Sequence, residues 1–175
     1  YPAFCGEKDP TTNDPLKTVC IRELATFFAH ITQETGDHNP WAASHEGIPM
    51  WRQGFAAVYE MGCDKNPQNF VGYNASCRNA LHGKWFPCPQ SAMNNQIVYC
   101  GRGPFQMSHN YNYGAFSVAM YGNTSVLLQQ PELVASTWLN FASAFWFLVT
   151  PHPPKPSMQE VLDRSWTPNS IDRAE

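Results

Sequence analysis

Three constellations in this 175-residue chain carry side chains that could do chemistry. The first is a pair of carboxylates, Glu34 and Glu60, separated by a stretch rich in polar and aromatic residues. One protonated and one ionised carboxyl group, placed on either side of an acetal, can cleave it: the acid protonates the leaving oxygen and the carboxylate activates water. Glu46 lies in the same stretch, and spacing alone does not choose between it and Glu60. Side chains suited to sugar faces and hydroxyl groups are abundant, among them Trp41, Trp85, Gln106, Asn110, Tyr111 and Asn112. The second constellation is His30, Glu34 and His38, whose four-residue intervals would align metal ligands on an unbroken helix. Gly36 interrupts that helix and no His-Glu-x-x-His motif is present, so neither a metal nor another cofactor is expected. The third is Ser108 beside His109. Adjacent side chains point apart, and no G-x-S-x-G elbow occurs, which argues against a nucleophilic serine.

The element that must position Glu34 is a helix reading LKTVCIRELATFFAHITQET. Asp14 is a suitable N-cap, Pro15 suits the first helical position, and Gly36 suits the stop. Leu16, Cys20, Leu24, Phe27 and Ile31 recur at helical spacing and predict the buried stripe. Glu34 continues it, and a carboxyl group on apolar neighbours has its charged form disfavoured, as a general acid requires. The competing expectation is a solvated glutamate at the end of a helix.

The remaining elements follow in order. Residues 37–49 read as a loop, and 50–59 are apolar, compatible with a short helix or one arm of a hairpin. Residues 61–98 predict a disulfide-stapled loop with a small β element. Ser108 is a plausible cap for a helix to Tyr121, closed by Gly122. Pro131 opens a single helix through ELVASTWLNFASAFWFLV, with Leu133, Val134, Trp138, Phe141, Ala142 and Phe145 as its apolar face. TPHPPKP ends it, and Ser157 with Glu160 forms a capping box for a last short helix ending near Trp166. The fold class is therefore mainly α with long stapled loops, in a single domain.

Composition narrows the class. Hydrophobic residues make up 43% and charged residues only 14%, and the net charge is −3. That leaves no basic footprint for nucleic acid or an anionic membrane, and no apolar run is long enough to span a bilayer. Six cysteines without a C-x-x-C pair predict three disulfides in an oxidising compartment, hence a secreted protein. Cys77 and Cys88 close a small loop, leaving Cys5–Cys20 and Cys63–Cys100 among the connectivities open to the rest. The sequons at Asn74 and Asn123 agree with secretion. The start at Tyr1 reads as a processed mature N-terminus.

The segments ETG (34–36), YCGRGPFQMSHNYNYG (99–114), PELVASTWLNFASAFWF (131–147) and TPHPPKPS (150–157) together resemble the family 19 chitinases, in order from about residue 23 onward. GRGPxQxSHNYNYG is long and highly specific. The resemblance implies a bilobal, lysozyme-like, mostly helical fold and endo-hydrolysis of β-1,4-linked N-acetylglucosamine with inversion. It implies Glu34 as general acid, Glu60 as general base and Ser108 as a holder of the attacking water. Gln106, Tyr111, Asn112, Trp85 and Lys155 would bind substrate, and a Cys77–Cys88 disulfide is similar to one in the family. Inversion requires the two carboxyl groups about 6.5–9.5 Å apart, a gap expected from placing them on separate lobes.

Two departures stand out. Gln33 occupies a position where many members have histidine before the acid. The segment SWTPNSIDRAE resembles text that in the family runs on into a further helical segment bearing an asparagine-rich motif and an arginine. Its absence implies a truncated or incomplete chain, in which a second chain or segment would complete the cleft. The alternative function is a chitin-binding, lectin-type defence protein with little turnover.

Overall fold

The computed structural model describes residues 4–6, 15–36, 55 and 57–162. Expectations about Asp14, His38, Trp41, Glu46, Trp166 and the last residues fall outside them. Among these residues eight α-helices are seen: α1 (Leu16–Thr35), α2 (His82–Trp85), α3 (Gln90–Met93), α4 (Asn110–Tyr121), α5 (Ser125–Gln129), α6 (Leu133–Ser136), α7 (Leu139–Val149) and α8 (Met158–Leu162). A 3-10 helix covers Pro67–Arg78. Among the described residues, extended pairing is confined to isolated antiparallel bridges, Tyr59 with Arg102, Arg102 with Met107, and His152 with Lys155. The three disulfides are Cys5–Cys20, Cys63–Cys100 and Cys77–Cys88, the pairing expected. The chain forms two compact units, one from Tyr1–His30 with Phe145–Glu175, the other from Ile31–Ala144.

In the first unit, the rings of Phe27 and Phe145 stack 4.7 Å apart and Phe4 meets Phe145 edge-on at 4.9 Å. Glu23 is buried, yet its carboxylate accepts the Cys5 N–H (2.6 Å) and the Gln159 side-chain amide (2.8 Å). Those bonds explain a correction to the α1 stripe. The buried positions are Val19, Glu23, Phe27, Ile31 and Thr35, each four residues apart, whereas Leu16 and Leu24 are exposed. A polar residue with its hydrogen bonds satisfied can hold a core position, which a purely apolar pattern overlooks. The stripe ends on Thr35, and Glu34 beside it is exposed, so the burial expected around its carboxyl group is not seen. The capping box is present as expected: the Ser157 N–H and hydroxyl donate to Glu160 (2.7 and 2.9 Å), and the Glu160 N–H donates to the Ser157 Oγ (3.1 Å).

In the second unit, α4 packs on α5, burying Tyr113, Phe116, Leu127 and Leu128. Gly114 lets Phe86 approach α4, since a Cβ there would lie 2.4 Å from the Phe86 ring. The segment 61–98 is helical rather than β. Cys63, Val98 and Cys100 form a buried cluster on which Phe70, Val71 and Tyr73 of the 3-10 helix pack. Asn74 fastens that helix from within: its Nδ2 donates to the Ala92 (3.0 Å) and Ile97 (2.7 Å) carbonyls, and its Oδ1 accepts the Tyr99 N–H (3.3 Å).

Two helix boundaries also differ from expectation. Ser108 does not cap α4; His109 occupies that position, and its φ of 66° turns the chain just before Asn110. Gly122 closes α4 in the left-handed conformation, as expected. The single helix expected after Pro131 is two, because Thr137 is extended between α6 and α7. Its hydroxyl donates to the Leu133 carbonyl (2.6 Å) and accepts the Leu139 N–H (3.2 Å), ending one helix and starting the next. The break leaves Trp138 70% exposed and Phe141 49% exposed, so neither belongs to the buried face assigned to them.

Candidate active site

Three short backbone segments organise the site. Tyr59 pairs antiparallel with Arg102, and Arg102 pairs antiparallel with Met107. Stepping one residue along each segment aligns Glu60, Gly101 and Ser108 in one row, with Tyr59, Arg102 and Met107 in the next. The register is fixed by Glu60 N–H to Gly101 O (2.8 Å), Gly103 N–H to Val58 O (2.8 Å) and a reciprocal Arg102–Met107 pair (3.1 and 2.9 Å). Two strand spacings put the Glu60 and Ser108 backbones about 10 Å apart.

The Glu60 carboxylate is held at both oxygens. The Tyr73 hydroxyl donates to Oε1 (2.9 Å) and the Gly101 N–H donates to Oε2 (3.0 Å). Burial raises the Tyr73 phenol to about 12, with its hydrogen bond to Glu60 adding to the effect, so it remains a donor through the ordinary pH range. A Cβ on Gly101 would lie 2.7 Å from the Gln106 Oε1 and would push that side chain aside. The side chain of Gln106 therefore lies over Gly101, in the row that carries Glu60 and Ser108. Its Nε2 donates to the Gly103 (3.0 Å) and Ala57 (3.3 Å) carbonyls. Gln106 and His109 both adopt positive φ, 46° and 66°, a backbone strain of about 1–3 kcal/mol each that tends to collect at functional sites.

Glu34 enters through its neighbour. The Thr35 hydroxyl accepts the Phe55 N–H (2.7 Å) and the Thr35 carbonyl accepts the Ala57 N–H (3.1 Å). The end of α1 is thus tied to the segment that leads through Val58 to Glu60. Glu34 and Glu60 belong to the same compact unit. Trp85, Gln106, Ser108, Tyr111 and Asn112 are in that unit too, and Lys155 is in the other. Asn112 donates to the Ser108 carbonyl (2.9 Å). The Tyr111 ring lies between His82 (4.2 Å) and His109 (5.3 Å), and His109 meets Tyr73 at 5.0 Å. A chain of ring contacts, tilted, stacked and edge-on in turn, thereby runs from α2 to the tyrosine that holds Glu60. Burial lowers the His109 pKa, with the nearby His82 contributing in the same direction. Trp85 is 64% exposed, with the Lys84 ammonium 5.9 Å from its ring centre.

The opposite row anchors the site. Arg102 is buried; it pairs with Glu132 (2.8 Å) and donates to the Val98 (3.0 Å) and Cys100 (3.3 Å) carbonyls and the Tyr113 hydroxyl (2.9 Å). Burial opposes its charge, but Tyr113 and Glu132 outweigh that and raise its pKa. The Tyr59 hydroxyl also donates to Glu132 (3.2 Å). Sequence reasoning missed Tyr73, Arg102 and Glu132. Arg102 had a signal, a charge between two glycines in an otherwise uncharged motif. Tyr73 had none, because its value comes from a fold of the loop that spacing does not reveal.

The family profile described as class I chitinase matches residues 1–175. The chain belongs to the glycoside hydrolase 19 family. It is 38% identical over 175 residues to endochitinase B of Nicotiana tabacum, covering 99% of this chain and 44% of that protein. It is 35% identical over 175 residues to chitinase 1 of Oryza sativa subsp. japonica, covering 99% of this chain and 45% of that protein. The chain thus spans less than half the length of these curated relatives. Among solved structures it is similar to a mutant of chitinase C, with a TM-score of 0.58 and 23% identity, over 94% of this chain and 60% of that one. Chitinase C from Streptomyces griseus gives a TM-score of 0.57 at 23% identity, over 94% of this chain and 49% of that one. These likenesses carry the fold: mainly helical, lysozyme-like and stapled by disulfides. Among the described residues, no helix is long and apolar enough to cross a membrane, and no group of three or more His, Cys, Asp or Glu could hold a metal ion.

Proposed function

We propose that this chain is part of the catalytic domain of a secreted endochitinase that hydrolyses β-1,4-linked N-acetylglucosamine polymers with inversion. The observation that carries this is the Glu60 carboxylate, gripped by Tyr73 and Gly101 in the same row as Ser108. An ionised carboxylate accepts at both oxygens, and two donors fix its orientation toward a water. Glu60 takes a proton from that water, which the Ser108 hydroxyl helps to hold. Glu34, exposed at the end of α1, gives its proton to the glycosidic oxygen as the bond to the anomeric carbon breaks. Water attacks the opposite face of the sugar, so the product has inverted configuration. The exposed Trp85 ring offers a flat apolar face to a sugar, while Gln106, Tyr111 and Asn112 supply polar contacts along the polymer.

The test is hydrolysis of N-acetylglucosamine oligomers by the full-length protein, followed by reducing-end release and by the NMR signal of the first anomer formed. The expected product is the α-anomer from a β-linkage. Absence of turnover by the full-length protein would overturn the enzyme in favour of a binding protein; an initial β-anomer would overturn inversion.

A further inference from the structure

We propose that Asn123, and not Asn74, carries an N-linked glycan in this protein. Both residues begin an Asn-x-Ser sequence, so the sequence treats them alike. The structure separates them. In the modification, the Nδ2 of asparagine bonds to the anomeric carbon of an oligosaccharide carried on a polyprenyl pyrophosphate. The sugar–pyrophosphate C–O bond breaks, the lipid pyrophosphate leaves, and Nδ2 gives up one proton. The modified nitrogen keeps a single N–H and must reach solvent with a bulky group attached.

Asn74 meets neither condition. It is fully buried, and its Nδ2 donates to both the Ala92 and Ile97 carbonyls at 3.0 and 2.7 Å. Both protons of the amide are committed, and its Oδ1 accepts the Tyr99 N–H. A glycan there would remove one internal bond and wedge a sugar between the 3-10 helix and the segment that leads into the Tyr99–Gly114 signature. Asn74 is a fastener of the fold that happens to precede a serine by two positions.

Asn123 meets both conditions. It is exposed, in the short connection between the left-handed Gly122 and α5, and nothing lies within 4 Å of where a Gly122 side chain would project. Its Nδ2 makes one long contact, to the Tyr121 carbonyl at 3.3 Å. Its Oδ1 accepts the Ser125 hydroxyl at 2.7 Å and the Ser125 N–H at 3.0 Å, so the carbonyl side of the amide is tied down, while the nitrogen side makes only that single contact in an exposed residue. Tyr121 and Val118, 43% and 45% exposed on α4, form an apolar patch near this connection that a first sugar residue would shield. The three disulfides are consistent with passage through an oxidising secretory compartment, where such a transfer takes place.

The test is expression of the full chain in a secreting eukaryotic cell. Release of glycans with peptide N-glycosidase in heavy-oxygen water converts each glycan-bearing asparagine to labelled aspartate, which peptide mass spectrometry locates. The label is expected at Asn123 and not at Asn74. Asn123→Gln and, independently, Ser125→Ala should each abolish the glycan mass of the secreted protein, whereas Asn74→Gln should lower secretion without removing glycan from what emerges. An unlabelled Asn123 in folded, secreted protein, or a label on Asn74, would overturn the assignment.

Discussion

Replacing Tyr73 with phenylalanine should slow hydrolysis about ten-fold while leaving substrate binding nearly intact. The substitution removes a single oxygen, the one 2.9 Å from Glu60 Oε1, and leaves the ring that packs on the Cys63–Val98–Cys100 cluster and meets His109. A hydrogen bond to an ionised group contributes about 1.5–3 kcal/mol. Tyr73 is only half-buried, which places this bond toward the lower end of that range. Each 1.36 kcal/mol is about ten-fold in rate. The Gly101 N–H still holds Oε2, so the carboxylate is loosened rather than released. The assay is steady-state kinetics on a chitin oligomer, with denaturant unfolding of the same preparation as a control. kcat should fall, KM should move little, and stability should change by less than about 1.5 kcal/mol. Undiminished kcat would mean that Glu60 does not depend on this donor. A loss confined to KM would assign Tyr73 to substrate binding instead.

Two other consequences concern the framework behind the site. Arg102→Met takes the donor from the buried Val98 carbonyl, while the Tyr113 hydroxyl still donates to Cys100, and should destabilise by about 1–3 kcal/mol, whereas Glu132→Gln, at a side chain 60% exposed, should cost less than about 1 kcal/mol; equal losses in denaturant unfolding would contradict the asymmetry. His109 has its folded pKa depressed, chiefly by burial. Its unfolded form binds a proton first, so the stability it contributes is present above about pH 6.5 and is lost as pH falls toward the folded value. Thermal unfolding measured across that interval should show a steeper acid loss for the unmodified protein than for His109→Gln; parallel curves would remove His109 as the cause.

Local signals carried much of the fold. α1, the Gly122 stop and the Ser157–Glu160 capping box each follow from a few adjacent residues whose backbone needs are specific. The misjudged features depend on partners distant in sequence. Glu23 is tolerated inside α1 only because Cys5 and Gln159 meet it, and no window around residue 23 contains either. Thr137 breaks a run of good helix formers through its own hydroxyl, against the apolar periodicity. Within the candidate site, the residue types of Glu60 and Ser108 were legible, but their common row is a property of bridges through Arg102. Asn74 shows the converse, a motif with a clear local meaning that burial overrides.

The most direct test of the central claim is Glu60→Gln in the full-length protein, assayed for reducing ends released from a chitin oligomer. Glutamine keeps the shape and can still accept from Tyr73, but it cannot take a proton from water. Loss of a general base should lower kcat about 10²–10⁴-fold with oligomer affinity retained. Turnover equal to that of the unmodified protein would contradict the assignment of Glu60 as the base and, with it, the site built around it.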